Sequence, residues 1–429
     1  MEYVIQGKKQ DRWIIYGIGI LICLALLARD IIGNGVNKYI FLILAAVPIF
    51  FASLQNMFIF MCFLIPLYVG LPSNLISVCL LIRLLFEALR HKIQLSGSGF
   101  ILSYLIVTYI LIQDILTGYT GVYHIMAAFD FLTLFLMMAA IIQYAQVKQS
   151  IIGFAIGNFV LGIIMLSATL SFYSLADLMN PATRLGYTGM LLNSSDASMA
   201  TSIDPNFYAM NVIATLTTGC LLLSQRLFKW EKIFLIVSML GCIVFCLIGL
   251  SRTFVVLLAI WGILWLFCQR NVKKAFSVLA VGIILIIAFF QFMPIVATGL
   301  LERFSGADVI GGNGRMNLIL KYFEPWYESI ETVLFGIGLF NCHTHCAPLM
   351  YLFGLGIVGT IPLVGWFLYN WRQCKRYVTK LSLRQCIPVI ITFISFSSIP
   401  AAGAINYTLP ILIAMSAVMI QEPRRSVQK

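Results

Sequence analysis

Arg252, Arg315 and His345 are the side chains of this 429-residue chain whose type and setting could do chemistry. Arg252 stands in GLSRTFVV, at the mouth of an apolar run. A guanidinium at the centre of a bilayer costs about 2.5–3.5 kcal/mol on insertion scales. Either it snorkels to the headgroup level, or its planar fork holds an anionic group such as a phosphate. Arg315 closes the Gly-rich run GGNGR, where absent side chains let the backbone approach a ligand closely. The plain alternative there is a solvated turn. GGNG (311–314) lacks the Lys-Ser or Lys-Thr that a phosphate loop needs after it. His345 belongs to CHTHC (342–346), the densest Cys/His cluster in the chain. Zinc is disfavoured, because five consecutive residues do not easily wrap a tetrahedral ion and no second Cys/His set accompanies them. A Cys342–Cys346 disulfide would be strained at this spacing. The segment reads better as a histidine acting as base or phosphate contact, with His343 beside it.

A histidine and two arginines without an acidic pair suit the stabilisation of a diphosphate leaving group and the positioning of a hydroxyl nucleophile. No Asp-x-Asp pair occurs anywhere, which argues against a metal-bound nucleotide-sugar donor. A lipid-linked diphosphate donor needs no nucleotide and can be met from within the bilayer. Arg184 and Arg303 are further cations in the same class of segment. Asp130 lies inside an apolar run; an interhelical hydrogen bond is the preferred reading, and a transport role the alternative.

The elements that must position these residues follow from composition. The chain is 61% hydrophobic and 10% charged, against about 25% charged for soluble domains. Continuous apolar runs such as WIIYGIGILICLALLA (13–28) exclude the alternating pattern of a barrel, so spanning helices are expected. Most of the eleven cysteines lie in such runs, as small hydrophobes. Fourteen candidate spans cover roughly 13–28, 38–54, 56–70, 73–89, 100–117, 122–145, 150–172, 206–224, 231–249, 252–268, 275–293, 347–369, 386–401 and 406–421. The second and third are short, so twelve crossings is the lower count; a lipid-tail cavity is expected beside that pair. With the N-terminus placed in the cytoplasm, twenty of the 28 Lys and Arg fall in cytoplasmic segments. Both termini are then cytoplasmic, and two long outer segments, 173–205 and 294–346, carry Arg184, Arg303, Arg315, His343 and His345. The net charge of +12 is spread over the loops and is not a nucleic-acid patch. One integral membrane domain, 1–429, is expected, with the outer loops as its working face.

The segment HCAPLMYLFGLGIVGT (345–360) resembles the signature of bacterial O-antigen ligases: His, then Asn, Ser or Gln, nine residues, then Gly-x-x-Gly-Thr. His345, Gly356, Gly359 and Thr360 match, and Cys346 departs at the second position. LFGIGLF (334–340), SRT (251–253), Gly314-Arg315 and ATRLGYTG…DPNFYA (182–209) are similar to other parts of that family, which includes Wzy-type polysaccharide polymerases. The resemblance implies an all-α, polytopic membrane glycosyltransferase of the C-type fold that works without a metal or cofactor. It implies that Arg252 and Arg315 bind the diphosphate of an undecaprenyl-linked oligosaccharide and that His345 is catalytic. Arg184, Asp204, Asn206, His343 and Arg303 would line the substrate cavity, and a protein that regulates chain length is an expected partner. Polymerase is favoured over ligase, since the second-position departure suits the more diverse polymerases. A flippase for the same lipid-linked glycans is the non-enzymatic alternative.

Overall fold

The computed structural model describes residues 9–32, 36–118, 121–143, 146–180, 183–186, 203–268, 272–305, 315–378, 381–399 and 405–420. The extreme termini, 187–202 and the GGNG run lie outside them. Helix is the only regular structure among the described residues. The helices are α1 (Lys9–Leu27, continued by a π turn over Ala28–Ile32), α2 (Lys38–Phe51), α3 (Leu54–Leu64, continued by a 3-10 stretch Ile65–Gly70), α4 (Ser73–Leu89), α5 (Gly97–Leu116) and α6 (Val122–Gln143). Then come α7 (Val147–Leu170), the short α8 (Leu175–Leu178), α9 (Pro205–Leu223), α10 (Lys229–Ile248), α11 (Arg252–Phe267) and α12 (Val272–Phe292). The last are α13 (Pro294–Ser305), α14 (Arg315–Tyr327), α15 (Ile330–Phe335), α16 (Ala347–Lys375), α17 (Leu383–Phe396) and α18 (Ile405–Ser416).

A helix occupies each apolar run read from the sequence, and α8, α13, α14 and α15 fall in the two long polar segments. Six stretches are long and apolar enough to cross a membrane: Trp13–Ile32, Gly97–Leu116, His124–Gln143, Val147–Leu170, Lys229–Ile248 and Ala347–Lys375. That is the architecture of an α-helical membrane protein, in which each helix satisfies its own backbone. Exposed Trp13, Ile20 and Leu24 on α1 show the outward apolar face such a protein presents.

The centre of the bundle is α9, which packs against α7, α10, α11, α17 and α18. All but three of its 19 residues are buried. Its threonine hydroxyls bond back into the helix, whereas Asn211 Oδ1 is buried without a hydrogen bond among the described residues. The hydroxyls of Thr215 and Thr217 donate to the carbonyls of Asn211 and Ile213 at 2.9 and 2.8 Å. Asn158 of α7 donates to Thr215 Oγ1, and the Tyr208 hydroxyl donates to the Asn158 carbonyl. Some charged groups in or beside the apolar runs are paired as well. Arg83 meets Glu87 one turn on at 2.8 Å, and Arg29 meets Asp30 at 2.6 Å. Asp130 accepts from the Ile405 amide at 2.6 Å, the interhelical hydrogen bond expected of it.

Candidate functional site

Two helix starts frame the site. Asp204 caps α9: its Oδ1 accepts from the amides of Asn206 and Phe207 at 2.7 and 3.3 Å, and Pro205 opens the first turn. Ser251 caps α11, its hydroxyl accepting from the Phe254 amide at 3.2 Å. The same hydroxyl donates to Asn206 Oδ1 at 3.2 Å, which fastens the two starts together. Leu250 makes the tight turn into Ser251. It adopts φ 49°, closing the end of α10, and its side chain is fully buried.

Arg252 is the first residue of α11, and Arg315 is the first residue of α14. The positive end of a helix dipole repels a cation, by about 0.3–1 kcal/mol in exposed settings. Placing a guanidinium there disfavours the fold and concentrates positive potential at one spot, which is what an anion-binding site needs. Arg252 donates from Nη1 to the Arg303 carbonyl at 3.1 Å, near the end of α13. The Arg315 charge reaches both Arg252 and His345. Among the described residues neither Arg252 nor Arg315 forms an ion pair. Both are half-buried. Two like charges held close without a counter-ion leave room for an external anion.

His345 stands at the same mouth. It adopts φ 51°, a left-handed conformation that costs a non-glycine residue roughly 1–3 kcal/mol. Buried Thr344 holds it there. The Thr344 hydroxyl donates to the Cys346 carbonyl at 2.9 Å and accepts from the Cys346 amide at 3.4 Å, gripping the residue beyond His345. The His345 side chain is open to solvent, yet enough protein surrounds it that desolvation dominates and draws its pKa below the ordinary histidine value. Asp204 opposes this by favouring the charged ring, while Arg315 and His343 add to it. The imidazole is therefore neutral near pH 7, the form that accepts a proton. Cys342 and Cys346 are free thiols, and burial pushes Cys342 up to about 12, so it is held as a protonated, inert thiol.

The glycines after His345 have a mechanical role. α16 breaks at Gly356, which takes φ 65° and ψ −174°. A Cβ there would meet the Gly336 amide and the Leu334 carbonyl at 2.4 Å. The chain 336–339 slots into this break. The amides of Ile337 and Gly338 donate to the carbonyls of Phe353 and Gly354 at 2.9 and 3.1 Å. Gln113 of α5 donates to the Phe335 and Gly354 carbonyls at 2.9 and 2.7 Å and accepts from the Leu339 amide. The Tyr109 hydroxyl bonds the carbonyls of Phe335 and Leu355, both at 2.8 Å. A helix interrupted inside an apolar bundle is tolerated only when its freed backbone groups find such partners. The device locks the segment leading to His345 against α5 and α16.

The structure thus brings Arg315 within electrostatic reach of both Arg252 and His345, brings Asp204 and His343 within reach of His345, joins Asn206 to Ser251, and has Arg303 contribute its carbonyl. Arg184 is 8% exposed, two residues before Gly186, which abuts Ile203 and Pro205; no hydrogen bond among the described residues joins it to the two arginines or His345. Ser251, already quoted in the SRT segment, is a positioning residue, as are Thr344, Gln113 and Tyr109, which sequence reasoning did not single out. Only Ser251 carried a signal, as a capping residue directly before a helix. No protein-family model and no curated protein matches the chain.

Proposed function

We propose that this chain is a polymerase of bacterial cell-surface polysaccharide, of the Wzy type. It transfers glycan from an undecaprenyl-diphosphate donor to a glycan hydroxyl on the outer face of the cytoplasmic membrane. The observation that carries the reading is a pair of arginines on helix starts, neither in an ion pair among the described residues, with Arg315 within electrostatic reach of a neutral histidine. Fourteen crossings with both termini cytoplasmic, argued from the Lys and Arg distribution, place 173–205 and 294–346 outside, away from nucleotides. The fold read this way is of the C type of membrane glycosyltransferases.

In the proposed reaction, Arg252 and Arg315 hold the diphosphate, with the positive dipole ends of α11 and α14 adding to the field. His345 accepts the proton from the acceptor hydroxyl as its oxygen bonds to the anomeric carbon of the donor sugar. The bond from that carbon to the diphosphate oxygen breaks, and undecaprenyl diphosphate leaves with the electron pair. The arginines stabilise the charge that develops on it. The mechanism uses no metal, and a ligase acting on lipid A core would use the same donor site with another acceptor.

The test is the product made by purified protein in liposomes from one lipid-linked oligosaccharide, with EDTA present. A ladder of longer glycans still on undecaprenyl diphosphate is expected, and His345→Ala should insert normally but make none. Transfer only to a lipid A core acceptor would convert the reading to a ligase. A normal ladder from His345→Ala would sink the assignment of the base.

A further inference from the structure

A cavity of about 260 Å³ lies between α4, α6, α18 and the 3-10 stretch after α3. The sequence suggested a cavity for a lipid tail beside α2 and α3, but the lining is polar. It includes Asp130, Ser73, Asn74 and Ser77 together with Tyr68 and Tyr407. Two of these groups are buried with bonding capacity to spare. Asp130 is 6% exposed; its Oδ2 takes the Ile405 amide, and its Oδ1 has no hydrogen bond among the described residues. Tyr68 is 2% exposed, and its hydroxyl lies near Ser77 without a well-formed hydrogen bond. Such groups call for a polar occupant.

The geometry points to a saccharide subsite here, taking one sugar ring of the glycan through Asp130, Asn74, Ser73 and Ser77, with tyrosine rings against its apolar face. This rests on the glycosyl-transfer reading above and deepens it. Sugar hydroxyls both donate and accept, which matches a set of one carboxylate, one amide and several hydroxyls. An aromatic side chain with a polar tip suits a ring that is apolar on its faces and polar at its rim. The size agrees: one water needs roughly 10–15 Å³, and small-molecule pockets begin near about 300 Å³. No cation lines the cavity, and the Asp130 carboxylate repels phosphate, so the diphosphate belongs at the arginines. The two sites are one aromatic contact apart. Tyr407 packs on Phe207 with ring centroids at 4.3 Å, and Phe207 follows Asn206, the residue bonded to Ser251. On the other side Phe131, next to Asp130, meets Tyr351 of α16, the helix His345 precedes. A lipid-diphosphate glycan presents one anionic group followed by sugar rings, in the same order as the two sites. The pocket is then where the identity of a sugar is read.

The experiment uses full-length protein in detergent. The probe is the oligosaccharide freed by mild acid from the lipid-linked pool of cells that carry the protein. Equilibrium dialysis should show binding by the unaltered protein and by Arg252→Ala alike. Ser77→Phe, which fills the cavity, and Asn74→Ala, at a half-buried position that tolerates truncation, should each weaken it by about tenfold or more. In the transfer assay Asn74→Ala should raise KM for the lipid-linked donor while kcat stays near its starting value. Equal binding by the unaltered protein, Ser77→Phe and Asn74→Ala overturns the subsite. So does stabilisation of the protein by sodium or lithium ions with none from the oligosaccharide, which would make the pocket a cation site. Pocket-dependent binding in a protein that transfers nothing sinks the transferase reading and keeps the subsite. Transfer with unchanged KM in Asn74→Ala does the reverse.

Discussion

Arg252 and Arg315 occupy the first residues of two helices and stay half-exposed, whereas Asp130 sits in the middle of α6 and is buried. Among the described residues no carboxylate is bound to the arginines; the acid accepts a backbone N–H and shares its cavity with hydroxyls and an amide. A cationic mouth built on helix ends acts at long range and, on the proposed reading, would serve the charged group common to every lipid-diphosphate donor. A pocket built inside the bundle acts only through short, directional bonds and can tell one sugar from another. Between them stand α9 and the broken α16, which hold both regions to a single geometry.

Removing charge from the mouth should have the largest effect. Arg252→Ala or Arg315→Ala should cut transfer by about 10²–10³-fold or more, by analogy with the loss of one preorganised donor. Arg252→Lys should recover little, because an ammonium cannot reproduce the fork. Chain-length ladders from membranes with equal amounts of inserted protein report both. Full activity in Arg252→Lys would reduce that residue to a point charge. Next comes the scaffold. Gly356→Ala forces a side chain into φ 65° and against Gly336 and Leu334, and should lower stability by at least about 1–3 kcal/mol. Gln113→Leu leaves the Phe335 and Gly354 carbonyls and the Leu339 amide short of partners, at about 1–3 kcal/mol for an unsatisfied buried group. Both should lower the thermal midpoint in detergent and slow transfer, since they loosen the approach to His345.

The smallest effect should be a shift in pH. On the proposed mechanism the neutral form of His345 is the active base, so transfer should rise with pH through an inflection below the ordinary histidine value and level off above it. Asp204 holds that inflection up by favouring the imidazolium. Asp204→Asn keeps a good capping residue and removes the charge, so the inflection should move to lower pH with the plateau rate retained. An inflection that rises, or a rate that falls as pH increases, would mean His345 works as a cation on the diphosphate.

Helices α4, α9 and α11 begin and end close to where their apolar runs do in the sequence. The reason is local: in an apolar surrounding a backbone has only itself for hydrogen bonding, so an uninterrupted apolar run becomes a helix. The candidate residues were legible for a related reason, since Arg252, Arg315 and Asp130 are costly where they stand and their types advertise it. Interruptions were less legible. Gly356 matched a signature position but nothing in the apolar run showed a break there; its left-handed turn exists because residues 336–339 and Gln113, far away in sequence, supply partners for the opened carbonyls. The tie from Asn206 to Ser251, the bond from Arg252 to Arg303, and the meeting of Tyr407 with Phe207 likewise join separate segments. By itself, then, the sequence determined that this chain is helical, apolar and equipped with a few expensive polar groups. Only the tertiary structure decided which of those groups share a mouth and which share a pocket. Hydropathy is a property of each segment alone, whereas a site depends on the directions in which packed helices aim single side chains.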